Sequence, residues 1–130
     1  MAASIAWNDP STPVLTNAEV LVSSESDLSS EIDLNGCVGL FGVGVTMTYN
    51  ASATVAAGLR VYAKIDGTNY SDEPVYERTM ALRDAGSAHQ QYFPFPIPAQ
   101  CVKVAVYNGD GTYTITSLTA HAHKNVLSAS

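Results

Sequence analysis

The fold is decided by the stretch Cys101-Val-Lys-Val-Ala-Val-Tyr-Asn108, followed by Gly109-Asp-Gly111 and Thr112-Tyr-Thr-Ile-Thr-Ser-Leu-Thr-Ala120. In both flanking runs the residues alternate between two faces, and the β-branched and aromatic side chains among them suit a strand. Asn and Gly between the runs supply the positive φ that a tight turn requires. The stretch therefore predicts a β-hairpin.

The rest of the chain repeats this pattern. Short strand patterns recur every ten residues or so, with Gly, Pro, Asn and Asp between them, and no amphipathic helix of useful length is present. We expect an all-β protein, an antiparallel sandwich of about eight strands with jelly-roll-like topology. The predicted organisation is an extended N-terminal arm (1–13), a β-sandwich domain (14–124) and a C-terminal tail (125–130).

The run from Cys37 to Tyr49 is the most apolar of these strand patterns. Nearly every position is apolar or small, which predicts a central strand covered on both sides. Gly42 and Gly44 share one face and leave a notch, where something packs closely or the strand bends. No helix pattern follows this Gly-x-Gly pair, so it is not a dinucleotide-binding fingerprint.

Prolines occupy every second position of the run Pro94-Phe-Pro-Ile-Pro98. Each removes a backbone donor on the same side, so the run predicts an edge strand or a polyproline-like segment. We expect copies of the chain to associate through sheet faces or loops and not through this edge.

Composition excludes several functional classes. The 130 residues are only 14% charged, with a net charge of −6, which disfavours nucleic acid as a partner. We expect no membrane association, since no apolar run has the length of a span, and no signal peptide. Synthesis is therefore expected in a cytoplasm, where Cys37 and Cys101 are reduced and act as buried small hydrophobic residues; a disulfide is the alternative.

Two clusters of side chains have the composition of metal sites. His121 and His123 point to one face of a strand and can meet one metal ion, with His89 as a third ligand; two solvated polar side chains are the alternative. One loop carries four residues whose oxygen atoms could bind calcium: Asp66, Asn69, Asp72 and Glu73. The same residues are common in ordinary turns, which is the alternative. We predict no metal and no cofactor. Since no nucleophile motif is present either, we expect no enzymatic activity.

Four short motifs combine turn residues with strand patterns. They are Ser30-Glu-Ile-Asp-Leu34, the run Val61 to Ile65 closing on Asp66-Gly-Thr-Asn69, Phe95-Pro-Ile-Pro98 before Val102 to Tyr107, and Asn108-Gly-Asp-Gly-Thr112. These motifs resemble those of small β-rich virion proteins of tailed bacteriophages. The resemblance covers about residues 30 to 120 and consists of turn chemistry and strand order. It implies a jelly-roll or sandwich module located in the virion, in a head or a tail, and it carries over no catalytic residue.

The function expected from this resemblance is that of a capsid decoration (cement) protein, which stabilises the head by binding between major capsid subunits. The partner is the major capsid protein or a tail protein, and copies are expected as trimers or dimers on local symmetry axes. The alternatives are a tail or baseplate structural protein and a carbohydrate-binding module of a tail tip. Stacking platforms for the last would be Tyr62, Tyr76, Tyr92 or Tyr107.

The arm carries the residues that we expect to bind a partner: Ile5, Trp7 and Pro10. Trp7 is the only tryptophan, and exposing it to water is costly, so the sequence favours its packing on the domain or on a neighbour. A disordered terminus with an incidental tryptophan is the alternative.

Overall fold

The protein consists of β-strands and connecting loops. A computed structural model describes residues 3–8, 12–82 and 88–129, and contains no helix in these ranges. It follows that no helix long and apolar enough to cross a membrane is found among them. The strands are β1 (Ala3–Trp7), β2 (Pro13–Val20), β3 (Ile32–Asp33), β4 (Cys37–Tyr49), β5 (Ala57–Ala63), β6 (Tyr76–Thr79), β7 (Ala88–Pro96), β8 (Cys101–Asn108) and β9 (Ile115–Ala129).

The strands form two antiparallel sheets. In sheet 1, β9 lies between β2 and β4, and β7 is the outer strand beyond β4; β1 pairs with the C-terminal half of β9. Sheet 2 has the order β3-β8-β5-β6. Strands β2 to β9 thus form two four-stranded arrays, 2-9-4-7 and 3-8-5-6, which is the arrangement of a jelly roll. The predicted all-β sandwich is confirmed.

The predicted hairpin between residues 101–108 and 112–120 is wrong. Strand β8 belongs to sheet 2, between β3 and β5, whereas β9 belongs to sheet 1, so the loop 109–114 crosses from one sheet to the other. Turn residues are compatible with either connection, and in this sandwich β8 and β9 both pair with strands from distant parts of the chain. The alternation was predicted correctly for residues 101–108, whose valines pack between the sheets. It was wrong for the second run, where Ile115 and Leu118 are both buried, because Ser117 has a positive φ of 54° and the pairing register shifts there.

Two polar side chains hold the crossing loop. The carboxylate of Asp110 accepts hydrogen bonds from the backbone N–H groups of Thr54 (3.0 Å), Thr112 (2.8 Å) and Tyr113 (3.1 Å). These bonds, that from Thr54 first, lower the pKa of Asp110. The side chain of Asn108 accepts from the N–H of Asp110 at 3.0 Å. Several backbone groups of this partly exposed loop are therefore satisfied without strand pairing.

Strand β4 supplies the centre of the core. Its inward residues Phe41, Val43, Val45 and Met47 are at most 1% exposed, and Phe41 stacks on Phe95 with ring centroids 5.4 Å apart. Burial of each such side chain stabilises the fold by about 1.5–3 kcal/mol. From sheet 2 the core receives, among others, Leu59, Val61, Val102, Val104 and Val106.

The prediction that β4 is covered on both sides is wrong for its outer side. Leu40 is 45% exposed, and Gly44, Thr46 and Thr48 are partly exposed. The sheet has no second layer there, since sheet 2 covers only the inner side. Small and neutral residues on the outer side reproduce the composition of a fully buried strand, which is why the sequence pattern was misleading.

Strand β7 is the edge strand that the prolines predict. It pairs with β4 alone, with Pro94 opposite Gly42 and Pro96 opposite Leu40. The side of the β7 backbone on which Pro94 and Pro96 have no N–H group therefore faces away from β4, so the missing donors cost no hydrogen bond to β4.

The terminal segments pair with each other. Strand β1 lies within the predicted arm (1–13), and its residues Ala3 to Trp7 pair with Ala129 to Asn125, which fall within the predicted tail (125–130). Within the arm, residues Ala3–Trp7 form a strand, and β9 continues without interruption into the tail. The domain boundaries themselves stay a prediction.

Both cysteines are free thiols. Cys101 is buried and Cys37 is half-buried, and burial raises the pKa of each. The expectation of small hydrophobic residues is met by Cys101 and in part by Cys37, and the alternative disulfide is not formed.

Candidate functional site

A groove on the outer side of sheet 1 has a floor made by the two glycines of β4. A Cβ atom at Gly42 would overlap the phenol oxygen and ring carbons of Tyr92, so only glycine leaves room for this ring. A Cβ atom at Gly44 would lie 3.3 Å from Nε2 of His123. The predicted notch is confirmed, and the side chains that pack into it are Tyr92 and His123.

Tyr92 and His123 reach these glycines diagonally across the sheet. Tyr92 is paired with Gly44 but leans over Gly42, while His123 is paired with Gly42 and leans over Gly44. Their rings meet at right angles, with centroids 5.1 Å apart and an interplanar angle of 86°. Burial, with a smaller contribution from the nearby His121, lowers the pKa of His123 and favours the neutral imidazole.

The groove encloses about 420 Å³ beside this pair, and its lining also includes Thr46, Gln90, Gln91 and His121. Among the described groove residues, Gln91 is already hydrogen-bonded within the chain: its Oε1 accepts from the N–H of Ala81 at 3.0 Å. Within the same ranges the side chains of Thr46 and Gln90 have no such partner. The groove therefore presents an aromatic ring together with uncharged hydrogen-bonding groups.

Among the described residues, the strands around the groove place no charged side chain on its surface. Strands β4 and β7 contain no Asp, Glu, Lys or Arg, and Lys124 of β9 pairs with the buried Phe41 and so belongs to the inner side. We call this surface, the outer side of β4, β7 and β9, the neutral face. Charged ligands find no counter-charge on it.

The outer side of sheet 2 is charged, in contrast to the neutral face. Arg60 forms ion pairs with Glu25 and Glu77, each at 3.1 Å, and its guanidinium group lies 4.2 Å from the ring centre of Tyr107. Tyr62 donates a hydrogen bond to Glu25 at 2.8 Å, and burial together with this carboxylate raises the pKa of Tyr62 to about 12. Tyr62 and Tyr107, two of the four predicted platforms, are therefore engaged within the chain.

The other two predicted platforms differ from each other. Tyr76 stacks on the buried Phe95, with ring centroids 5.1 Å apart. Tyr92 is 46% exposed and rests on Gly42 in the groove. Of the four tyrosines, Tyr92 alone presents a largely accessible ring.

His89, considered as a third metal ligand beside His121 and His123, does not lie with them. His89 is paired with the buried Met47, points to the inner side of sheet 1 and stacks on Tyr49 at 6.2 Å. His121 and His123 lie on the outer side, opposite Gly44 and Gly42. The sheet therefore separates His89 from His121 and His123, and within the described ranges no three potential ligands come together.

The loop predicted as a weak calcium site is an ordinary turn held by Asp66. Its carboxylate accepts from the N–H groups of Thr68 and Asn69, each at 2.8 Å, and from the Asn69 side chain at 2.9 Å. These bonds, that from the side chain of Asn69 first, lower the pKa of Asp66 to about 2. Asp72 and Glu73 do not complete a cluster of three ligands in the part of the chain that is described.

Two of the predicted partner-binding residues, Trp7 and Ile5, lie on β1 near one end of the neutral face. Trp7 is 54% exposed and pairs with Asn125, which shares a face with His123 two residues earlier. Ile5 is opposite Leu127 in the same ladder, and Pro10 lies outside the described residues. Val38 and Leu40, at the start of β4, are 36% and 45% exposed. We call Trp7, Val38 and Leu40 the Trp7 patch.

No protein-family model and no curated protein matches the sequence. Among solved structures the chain is similar to one from the disulfide-linked pili of Bacillus endospore appendages, with 10% identity, a TM-score of 0.49, and coverage of 98% of this chain and 93% of that chain. It is also similar to a structure of the infectious bursal disease virus Gx strain (13% identity, TM-score 0.49, 96% and 32% covered). A third similarity is to the K1 cleaved adhesin domain of Lys-gingipain from Porphyromonas gingivalis W83 (16%, 0.43, 82% and 63%). At these identities and TM-scores the similarities carry no functional argument.

Sequence reasoning identified Tyr92 and the glycine notch separately but missed that they belong together. The pairing of β4 with β7 brings them into contact. A signal was present, since a strand with two glycines on one face needs a large side chain from a neighbour to fill the space.

Proposed function

We propose that this protein is a structural component of a bacteriophage virion, a capsid decoration protein that binds between major capsid subunits. The proposal rests on the resemblance of its four short motifs to those of virion proteins. It is supported by one structural observation, the exposed Trp7 patch at the end of a face without charge. Depletion of charge and enrichment in aromatic residues distinguish the centre of protein interfaces from other surfaces.

Trp7 is the proposed anchor. It stands on β1, which is held by pairing with the end of β9, so its backbone is ordered before a partner binds. A side chain presented from a strand loses less conformational entropy on binding than one on a disordered tail. Docking through the Trp7 patch leaves the charged side of sheet 2 in solvent, where its ion pairs keep the protein soluble.

The proposal concerns binding and not catalysis. On sheet 2, Arg60 is engaged in ion pairs with Glu25 and Glu77. On the neutral face, the described residues that line the groove place no carboxylate beside the histidines. Attachment as trimers or dimers at symmetry axes is part of the proposal, as is location in the virion. A tail or baseplate protein is the alternative with the same docking chemistry.

Co-sedimentation with empty capsids and with purified tails tests the proposal. The full chain is expected to pellet with capsids and not with tails, and Trp7→Ala is expected to bind at least about tenfold more weakly, which corresponds to ~1.4 kcal/mol. Leu21→Ala is the matched control, because Leu21 is 61% exposed and lies at the opposite end of the sandwich, beside Asn108. Equal binding of Trp7→Ala and the wild type would refute the anchor, and binding to tails alone would favour the alternative.

A further inference from the structure

The most accessible aromatic ring of the groove lies on a flat support. The phenol oxygen and the neighbouring ring carbons of Tyr92 would all overlap a Cβ atom at Gly42, so the ring lies across the glycine and does not point end-on at it. With 46% of the residue exposed, the side of the ring away from Gly42 is available to a ligand. His123 meets this ring at 86° and limits its rotation.

We propose that the groove beside Tyr92 binds a neutral saccharide. The C–H-bearing face of a sugar ring packs on an aromatic face, and its hydroxyl groups need donors and acceptors at the rim. Thr46, Gln90 and His121 line the groove at these positions. Small-molecule sites combine apolar contact with a few polar groups in this way, within volumes of about 300–1,000 Å³.

The electrostatics of the groove select against charged ligands. In the part of the chain that the structure describes, no Asp, Glu, Lys or Arg lines it. A sulfated or sialylated sugar, or a phosphate group, would lose hydration on entering without gaining an ion pair. The neutral form of His123, which its burial favours, adds no positive charge at neutral pH. The ligand class is therefore uncharged sugars, in the size range of a mono- or disaccharide unit.

The site is separate from the residues proposed for capsid attachment, and the inference does not rest on that function. Trp7 lies across β9, beside Asn125, whereas the groove lies between β9 and β7 around Gly44. The Trp7 patch and the groove lie on the same side of sheet 1 but share no residue. Saccharide binding and capsid binding are expected to respond to different substitutions.

The test is titration of the full ¹⁵N-labelled chain with neutral oligosaccharides of glucose, galactose, mannose and N-acetylglucosamine, followed by NMR. We expect at least one sugar to shift the amide signals of Thr46, Gln90 and Tyr92. Tyr92→Ala is expected to weaken this binding at least about tenfold, while Tyr92→Phe, which keeps the ring, stays within about threefold. Sialylated and sulfated sugars form the charged arm of the titration and are expected not to bind.

A glycine substitution tests the position of the Tyr92 ring without removing the ring. Gly42→Ala removes no ligand contact but displaces the Tyr92 ring, so it is expected to weaken binding at least about tenfold. Gly67→Ala is the matched control, because a Cβ atom at Gly67 has no atom within 4 Å, and it is expected to bind like the wild type. Thermal melting verifies that each variant is folded; if Gly42→Ala unfolds, Tyr92→Ala decides alone, since the exposed ring is dispensable for the core.

Three results would overturn the proposal: no shift with any neutral sugar, binding of charged sugars only, or undiminished binding by folded Tyr92→Ala. Trp7→Ala is expected to bind the sugar like the wild type. A chain that binds sugar but not capsids would therefore contradict the proposed function and leave this inference standing.

Discussion

Asn108 provides a direct test of how the chain crosses between the sheets. Its side chain is 1% exposed at the end of β8. Nδ2 donates to the carbonyl oxygens of Tyr113 (2.8 Å), Leu21 (3.2 Å) and Val20 (3.3 Å), and Oδ1 accepts from the N–H of Asp110 (3.0 Å). One amide thus joins the end of β2, the end of β8 and the loop that leads to β9.

Asn108→Asp keeps the shape of the side chain but replaces the donor with a carboxylate oxygen. The donated hydrogen bonds, about 0.5–1.5 kcal/mol each, are lost. The new charge faces three carbonyl oxygens, and a buried charge without a partner costs about 3–5 kcal/mol. We therefore expect the free energy of unfolding at pH 7.5 to fall by about 3–5 kcal/mol, the charge being the dominant contribution.

The effect should depend on pH. Burial gives the introduced carboxyl a folded-state pKa above its unfolded value. The stability of Asn108→Asp is therefore highest at low pH, where the carboxyl is neutral, and is lost as the pH rises through the folded pKa. Urea denaturation followed by circular dichroism at pH 7.5 and 4.5 measures both values. The control is Asn50→Asp, where Oδ1 of an exposed Asn accepts from Ser52 at 2.9 Å and a carboxylate can do the same. Wild-type stability of Asn108→Asp at pH 7.5 would refute the reasoning.

Three further predictions concern the core, the arm and acid sensitivity. Leu59→Ala, at a side chain that is 0% exposed, should cost about 2–5 kcal/mol in urea denaturation, whereas Leu21→Ala should cost under about 0.5 kcal/mol; equal losses would contradict the assigned core. Deleting residues 1–10 should leave the melting transition in place while weakening capsid attachment at least about tenfold; a lost transition would show that β1 belongs to the core. Because the folded-state pKa of His123 lies below its unfolded value near 6.5, acidification through pH 6.5 should destabilise the wild type more than His123→Gln; equal melting curves at pH 7.5 and 5 in both proteins would exclude this contribution.

The sequence was most informative where a pattern reflects the local backbone. The bounds of β4 and β8 match the predicted runs, because alternation of apolar residues depends only on one strand and its buried face. Pro94 and Pro96 placed β7 at an edge, since a missing donor excludes a second neighbour on that side.

Pairing between strands was harder to predict. The Asn108-Gly-Asp-Gly111 sequence has hairpin chemistry but connects two sheets, and this becomes visible only when Asp110 and Asn108 are seen to bind backbone groups of distant loops. The candidate site had the same difficulty, because Tyr92 and Gly42 are far apart in sequence and meet through strand register. His89, which the sequence placed in a polar loop, lies on β7 and faces the inner side of sheet 1.

Cryo-electron microscopy of empty capsids saturated with the protein tests the central claim most directly. The account predicts added density at the local symmetry axes of the shell, with each jelly roll oriented so that Trp7, Val38 and Leu40 contact the capsid and the charged side of sheet 2 faces solvent. Undecorated shells at saturating protein, or density in which the Trp7 patch points away from the capsid, would contradict it.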